Sequence, residues 1–252
     1  MSQVAHQTPL VVIGGWGVDA AMLLPLFDNW PGEIHMVSLN DSIMTRCGSI
    51  SAVAAYLLDR YPCPAVWAGW SQGAQVAMAA ASQSAVQVSR LITLAGFPRF
   101  LASPDWPVGM AANTFNRFRA DVASEATAPQ AWRRFQQLLI HGCDDRLQAR
   151  KDLVPWLEQG ASVAPANLIR GLDWLEMEDQ LGLWQQVRVP TLHLQAEHDA
   201  IVRSWVETFI PSETSETVSI PGMTHWPRGH AARLCRAAIR RFVFCKGNSW
   251  LI

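Results

Sequence analysis

An apolar strand, a turn centred on a serine and an alanine-rich helix follow one another without a gap in the first third of the chain. Residues 65–68 form the apolar run, Gly69-Trp-Ser-Gln-Gly73 forms the turn, and residues 74–81 form the predicted helix. A G-x-S-x-G turn in this context is sharp and leaves its serine exposed at the carboxyl end of the strand. The segment therefore predicts a strand that leads directly into a helix, with Ser71 as a candidate nucleophile. The alternative is a plain turn whose serine caps the helix.

Five further apolar strands indicate that this unit belongs to a larger sheet. They are predicted over residues 10–13, 34–39, 90–95, 189–195 and 216–220. Helices are predicted between them, over residues 50–60, and after them, over residues 230–244. Apolar strands that alternate with helices are typical of a parallel sheet covered on both faces. The predicted fold class is α/β, with a mostly parallel sheet flanked by helices.

The middle of the chain is predicted to be helical only. Its candidate helices cover residues 112–122, 129–140, 146–158 and 165–174, without a convincing strand. Because this block interrupts the strands of one sheet, we predict a single core domain of residues 1–102 and 185–252. Residues 103–184, called the lid below, are predicted to cover the carboxyl edge of the sheet, where ligands bind in such folds.

Charge and cysteine usage narrow the function classes. Twenty basic and 21 acidic residues give a net charge of −1, which favours neither nucleic acid nor an anionic membrane as a partner. Residues 1–8 lack the pattern of a signal peptide, and no apolar stretch approaches the roughly 20 residues of a membrane span. The five cysteines are scattered, which favours reduced thiols and a cytoplasmic location. Since no metal-ligand spacing, P-loop or dinucleotide fingerprint is found, we expect no metal and no cofactor. We also expect a monomer.

A serine nucleophile needs a base, and His225 is the best placed of seven histidines. It follows the last predicted strand, so its loop lies at the carboxyl edge of the sheet. His230 is the rival, but a capping or surface role at the start of the final helix is simpler for it.

The third catalytic group is expected to be a carboxylate after a late strand, because such a group orients the imidazole. The loop after residues 189–195 offers Glu197 and Asp199. Asp199 is preferred because the apolar pair Ile201-Val202 follows and can anchor the loop, whereas Glu197 could be a solvated charge at the rim. The order Ser, Asp, His is that of α/β-hydrolases.

Acyl transfer also needs two amide donors for the oxyanion of the tetrahedral intermediate. Gln72 follows the nucleophile and is one candidate. Trp16, in the segment Ile13-Gly-Gly-Trp-Gly17 after the first strand, is the other. A plain glycine turn is the alternative for this segment.

Taken together, these motifs resemble the pimeloyl-[acyl-carrier-protein] methyl ester esterases of biotin synthesis, which are carboxylesterases of the α/β-hydrolase fold. The matching pieces are Gly15-Trp-Gly17, Gly69-Trp-Ser-Gln-Gly73, Asp105-Trp-Pro107, Trp132-Arg-Arg-Phe135, Asp199-Ala-Ile-Val202 and the loop of His225. The resemblance implies an α/β-hydrolase core with a helical lid, and hydrolysis of the methyl ester that masks a pimeloyl chain on its carrier. Two segments depart from the family pattern: Gly14-Gly15 stands where His-Gly is usual, and residues 39–46 replace a glycine-rich stretch after the second strand.

Substrate contacts and a docking surface follow from this resemblance. The expected substrate-binding residues are Trp16, Trp70, Phe100, Phe135 and Leu139. The expected docking residues for an acidic acyl-carrier protein are Arg134, Arg146, Arg150 and Lys151. Residues 111–151 hold seven basic and four acidic side chains, an excess of three positive charges. A basic docking face fits this excess; solvated helix faces with local ion pairs fit it equally well.

Three functions are therefore weighed. The first is a serine esterase acting on a medium-chain acyl methyl ester, with pimeloyl carrier protein as the specific case. The second keeps the chemistry but changes the substrate, to give a general short-chain carboxylesterase or thioesterase. The third is a non-catalytic α/β-hydrolase scaffold that binds a small ligand, against which the intact set of Ser71, Asp199 and His225 argues.

Overall fold

A six-stranded parallel sheet forms the centre of the computed structural model, which describes residues 8–161 and 163–244. Its strands are β1 (Leu10–Ile13), β2 (Ile34–Val37), β3 (Ala65–Trp70), β4 (Val88–Leu94), β5 (Thr191–Ala196) and β6 (Ser215–Ile220). The spatial order is β2-β1-β3-β4-β5-β6, and every neighbouring pair is parallel. Strands β1, β3 and β5 are buried along their whole length, as expected of strands covered on both faces.

The strand order places the chain's switch point between β1 and β3. From β1 the chain moves to β2 on one side, and it then returns to form β3 on the other side. The loops after β1 and β3 therefore leave the carboxyl edge in opposite directions and open a crevice between them. The loops after β5 and β6 end at the same edge, because all six strands run in one direction.

The helices agree with the sequence prediction where the apolar pattern is long. They are α1 (Asp41–Arg46), α2 (Ile50–Arg60), α3 (Gln72–Gln83), α4 (Ala112–Ala123), α5 (Ala128–Leu138), α6 (Arg146–Gln159), α7 (Pro165–Met177), α8 (Leu181–Gln186) and α9 (Gly229–Phe244). A 3-10 helix covers Ala20–Leu26. Predicted boundaries differ from these by a few residues at most, but α1, α8 and the 3-10 helix were not predicted.

Residues 39–46 show why one of these elements was missed. The strand predicted over residues 34–39 ends at Val37, and α1 begins four residues later at Asp41. The Asn40 side chain accepts a hydrogen bond from the Ile43 amide and so caps the helix. Six residues are too few to show a helical period, so only the cap could have indicated this element.

Helices α4 to α8 lie between β4 and β5 in the chain, and the described part of residues 95–190 adds no strand to the sheet. The exact division between core and lid stays a prediction. No helix within residues 8–161 and 163–244 is long and apolar enough to cross a membrane. Cys47, Cys63, Cys143 and Cys235 are free thiols, whereas residues 1–7 and Cys245 lie outside the described residues.

Candidate active site

Ser71 lies on a strained elbow between β3 and α3. Its backbone has φ 56° and ψ −123°, a conformation that residues other than glycine rarely adopt. Two glycines make this bend possible. A Cβ atom on Gly69 would lie 2.3 Å from the Gly73 carbonyl oxygen, and one on Gly73 would lie 2.4 Å from the Ile13 carbonyl oxygen. The G-x-S-x-G spacing is thus a steric requirement of this turn.

His225 and Asp199 meet at the same edge of the sheet. The loop after β6 carries His225 and the loop after β5 carries Asp199, and His225 Nδ1 lies 2.7 Å from Asp199 Oδ2. The side chains are only 1% and 3% exposed. Asp199 Oδ1 also accepts hydrogen bonds from the backbone N–H groups of Ile201 and Val202, at 2.8 and 2.9 Å. The carboxylate is therefore held on both oxygens.

Two contacts that the sequence did not reveal support the His225 loop. The Trp70 indole N–H donates to the His225 carbonyl oxygen at 2.7 Å, so the residue before the nucleophile fixes the loop of the base. Glu197 Oε2 accepts from the Gly222 N–H at 2.8 Å and joins the loops after β5 and β6. Glu197 thus contacts the loop of His225, whereas Asp199 contacts its ring. Both contacts join residues far apart in the sequence, so no local pattern could indicate them.

The rival histidines have other surroundings. His230 is exposed at the second residue of α9. His193 lies on β5 in the core, stacked on Trp184, with Nδ1 2.8 Å from the Thr93 hydroxyl. Complete burial lowers the pKa of His193 from 6.5 to about 3. His193 therefore stays neutral inside the fold.

The backbone N–H groups of Trp16 and Gln72 are available at the crevice. Trp16 follows β1 and Gln72 begins α3, and neither amide donates to another residue within the described part of the chain. Gly15, which precedes Trp16, lies close to the nucleophile: a Cβ atom there would be 3.2 Å from Ser71 Cβ. The Ser71 hydroxyl likewise has no hydrogen bond among the described residues. Such bonds often form only in the complex with substrate.

Aromatic rings from residues 103–184 pack against Trp16. Trp16 is 5% exposed, and its ring centroid lies 4.9 Å from that of Phe135 and within 6 Å of those of Phe118 and Trp132. Among the other expected substrate contacts, Phe100 packs against Phe97 and Phe115, and Trp70 and Leu139 are fully buried. These side chains are apolar and packed in the interior; their contact with substrate stays a prediction.

The expected docking residues are exposed on two lid helices. Arg134 lies on α5, 3.7 Å from an Asp121 carboxylate oxygen. Arg146, Arg150 and Lys151 lie on α6, and none of the three forms an ion pair within residues 8–161 and 163–244. The structure thus leaves these three cations of α6 facing solvent, whereas the Arg134 guanidinium lies near the carboxylate of Asp121.

Family and fold comparisons agree with this geometry. The model of the alpha/beta hydrolase family matches residues 17–237. A solved hydrolase from Oleispira antarctica superposes with a TM-score of 0.79, at 14% identity, over 94% of this chain and 91% of its own. That likeness shows the fold alone. The chain belongs to the alpha/beta hydrolase family, and it is an enzyme.

Named relatives narrow the class. A pimeloyl-[acyl-carrier protein] methyl ester esterase of Nitrosomonas europaea is 28% identical over 234 residues, which are 86% of this chain and 88% of the relative. The esterase of the same name from Methylococcus capsulatus is 32% identical over 204 residues, 77% of each chain. The resemblance seen in the motifs is therefore confirmed over most of the chain.

Proposed function

We propose that the protein is a serine carboxylesterase with Ser71 as nucleophile, His225 as base and Asp199 as the group that orients the base. The observation that carries this proposal is the 2.7 Å contact between His225 and Asp199 at the sheet edge where the Ser71 elbow ends. A scaffold that only binds a ligand has no need of a strained serine at the same sheet edge as a buried imidazole–carboxylate pair. This argues against the non-catalytic alternative.

The reaction follows from these positions. Ser71 Oγ attacks the ester carbonyl carbon while His225 Nε2 takes its proton, and the oxyanion accepts hydrogen bonds from the Trp16 and Gln72 amides. Collapse of this intermediate expels the alcohol, which receives the proton from His225, and leaves an acyl group on Ser71. Water then attacks the acyl carbon as His225 takes its proton, and the acid is released when Ser71 regains a proton.

The substrate we propose is the methyl ester of a pimeloyl chain carried by acyl-carrier protein, in biotin synthesis in the cytoplasm. The relatives named for this activity match most of the chain. The aromatic cluster around Trp16 suits a medium-length acyl chain, and the exposed cations of α6 suit an acidic carrier. We expect the enzyme to act as a monomer.

A second substrate class is favoured by one observation. Residues 39–46, which depart from the family pattern, form the short helix α1 beside lid helix α7. A different wall at this place gives a different pocket, so a general short-chain carboxylesterase or thioesterase remains the competing proposal.

An assay on two substrates separates these functions. We expect the enzyme to hydrolyse methyl pimeloyl-carrier protein with a higher kcat/KM than p-nitrophenyl acetate or butyrate. We also expect its gene to restore growth of a biotin auxotroph that lacks its methyl ester esterase. Good activity on simple esters without complementation would instead support the general carboxylesterase.

A further inference from the structure

The side chains of both expected oxyanion-hole residues end on one lid helix. Trp16 Nε1 donates to the Leu168 carbonyl oxygen, and Gln72 Nε2 donates to the Gly171 carbonyl oxygen, each at 2.8 Å. Both bonds are buried. Leu168 and Gly171 are three residues apart on α7, so they share one face of it. The segments that follow β1 and β3 are thus both bonded to one turn of α7.

Gly171 faces the Trp16 indole without room for a side chain. A Cβ atom on Gly171 would lie 2.6 Å from Trp16 Cδ1 and 2.9 Å from Trp16 Nε1. The indole cannot yield freely, since its N–H is bonded to α7 and its ring packs against three lid aromatics. The position of the Trp16 ring therefore depends on the absence of a side chain at residue 171.

Helix α7 is itself fixed to the core by α1. Asp41 Oδ1 accepts from the Ala164 N–H at 2.8 Å and from the Asn167 side-chain amide at 2.6 Å, at the start of α7. These bonds, that of Asn167 first, lower the pKa of Asp41 below its usual value. One turn further on, the Arg170 guanidinium donates to the Met44 carbonyl oxygen at 2.7 Å. The segment that departs from the family pattern thus serves as an anchor for α7.

We propose that α7 positions the oxyanion hole, and that Gly171 is a positioning residue that sets where the Trp16 amide points. This inference rests on the proposed function, because it assumes that the Trp16 and Gln72 amides receive the oxyanion. Such donors act only within a narrow distance of the developing charge, and loss of one costs about 10²–10³ in kcat. Contacts that fix Trp16 and Gln72 from above the crevice would therefore act on the transition state more than on substrate binding.

The test compares two glycine-to-alanine substitutions in lid helices. Gly171→Ala should lower kcat for p-nitrophenyl butyrate by roughly 10- to 100-fold, part of the cost of a lost donor, with a much smaller change in KM. Affinity for an alkyl boronic acid, which forms a tetrahedral adduct on the serine, should fall by the same factor as kcat/KM. Gly182→Ala on α8 is the control, since the nearest atom to its new Cβ is 4.0 Å away, and it should keep wild-type kinetics.

A double-mutant cycle identifies the route of the effect. In the Trp16→Leu background no ring atom opposes the new methyl group, so adding Gly171→Ala should change kcat little. An effect as large as in the wild-type background would overturn the assignment. If Gly171→Ala does not fold, Gln72→Met removes the other bond to α7 and keeps the backbone amide. It should also lower kcat more than it changes KM, and an unchanged kcat would overturn the proposal.

Ser71→Ala, measured alongside, separates this inference from the proposed function. Hydrolysis that survives Ser71→Ala would overturn the proposed mechanism and this inference with it. A Ser71-dependent enzyme whose kcat is unaffected by Gly171→Ala would overturn this inference alone.

Discussion

The two carboxylate oxygens of Asp199 have different hydrogen-bond partners. Its Oδ1 is taken by two backbone N–H groups, so only Oδ2 faces the imidazole of His225. In the proposed mechanism the Asp199 carboxylate accepts a hydrogen bond from the N–H at His225 Nδ1. Nε2 is then left as the basic nitrogen, which is the state that proton transfer from Ser71 requires.

Asp199→Asn tests this reading. An amide at this place can donate to Nδ1 and so stabilise the wrong tautomer, and the expected loss in kcat is about 10⁴, with the thermal unfolding transition retained. Ester hydrolysis measured beside Glu197→Gln provides the matched control on the same loop. If Glu197→Gln lost as much activity as Asp199→Asn, Glu197 would have to be the acid.

Burial of His193 makes the stability of the protein depend on pH, because it keeps the imidazole neutral. The folded protein leaves it unprotonated down to a pKa of about 3, whereas the unfolded chain takes up a proton near 6.5. Below pH 6.5 protons therefore favour the unfolded state, and the free energy of unfolding falls as the pH falls.

His193→Gln should weaken this acid sensitivity. Between about pH 6.5 and pH 4, the stability advantage of wild type over the variant should shrink by up to about 1.4 kcal/mol per pH unit. Urea unfolding at several pH values measures that difference. A difference independent of pH would show that His193 does not contribute to the acid limb.

The elbow between β3 and α3 explains why the G-x-S-x-G motif requires its glycines. A Cβ on Gly73 would meet the carbonyl oxygens of Ile13 and Gly14, at 2.4 and 2.5 Å. These are backbone atoms of β1 and its following loop, so they cannot move aside without shifting the crevice itself.

Gly73→Ala should therefore destabilise the protein by about 3 kcal/mol or more and abolish activity. Gly48→Ala is the control: no atom lies within 4 Å of its new Cβ, and it should be neutral or stabilise by up to about 1 kcal/mol. Thermal unfolding of both variants checks the contrast. A fully stable Gly73→Ala enzyme would contradict the steric account of the motif.

The same elements show what the sequence could predict. The helical apolar period predicted α2 at its observed bounds, and short apolar runs predicted the six strands. The position of a residue after a strand indicated Ser71, Asp199 and His225 as candidates. By contrast, α1 is too short to show a period, and the bond from Gln72 to Gly171 joins residues 99 positions apart. Contacts of that kind depend on how the lid packs on the core, which no local pattern encodes.

At the scale of the molecule, the exposed cations belong to different parts of the fold. Arg146, Arg150 and Lys151 face solvent on α6. Arg188, in contrast, lies just before the amino end of β5, at the edge of the sheet opposite the site. We therefore expect a large acidic substrate at the crevice to meet the cations of α6 and not Arg188.

Charge reversal on α6 tests this difference. The triple substitution Arg146→Glu, Arg150→Glu and Lys151→Glu should raise KM for methyl pimeloyl-carrier protein by about tenfold or more, and most strongly at low salt. Hydrolysis of p-nitrophenyl butyrate should not change. Arg188→Glu should alter neither reaction; equal effects of both changes on the carrier substrate would contradict a local docking surface.

The most direct test of the account is the site of covalent labelling by a fluorophosphonate, mapped by peptide mass spectrometry. If His225 activates Ser71, one adduct forms, on the Ser71 peptide, with labelling greatly slowed in His225→Ala and absent in Ser71→Ala. An adduct on another residue, or ester hydrolysis that continues undiminished without the Ser71 hydroxyl, would contradict it.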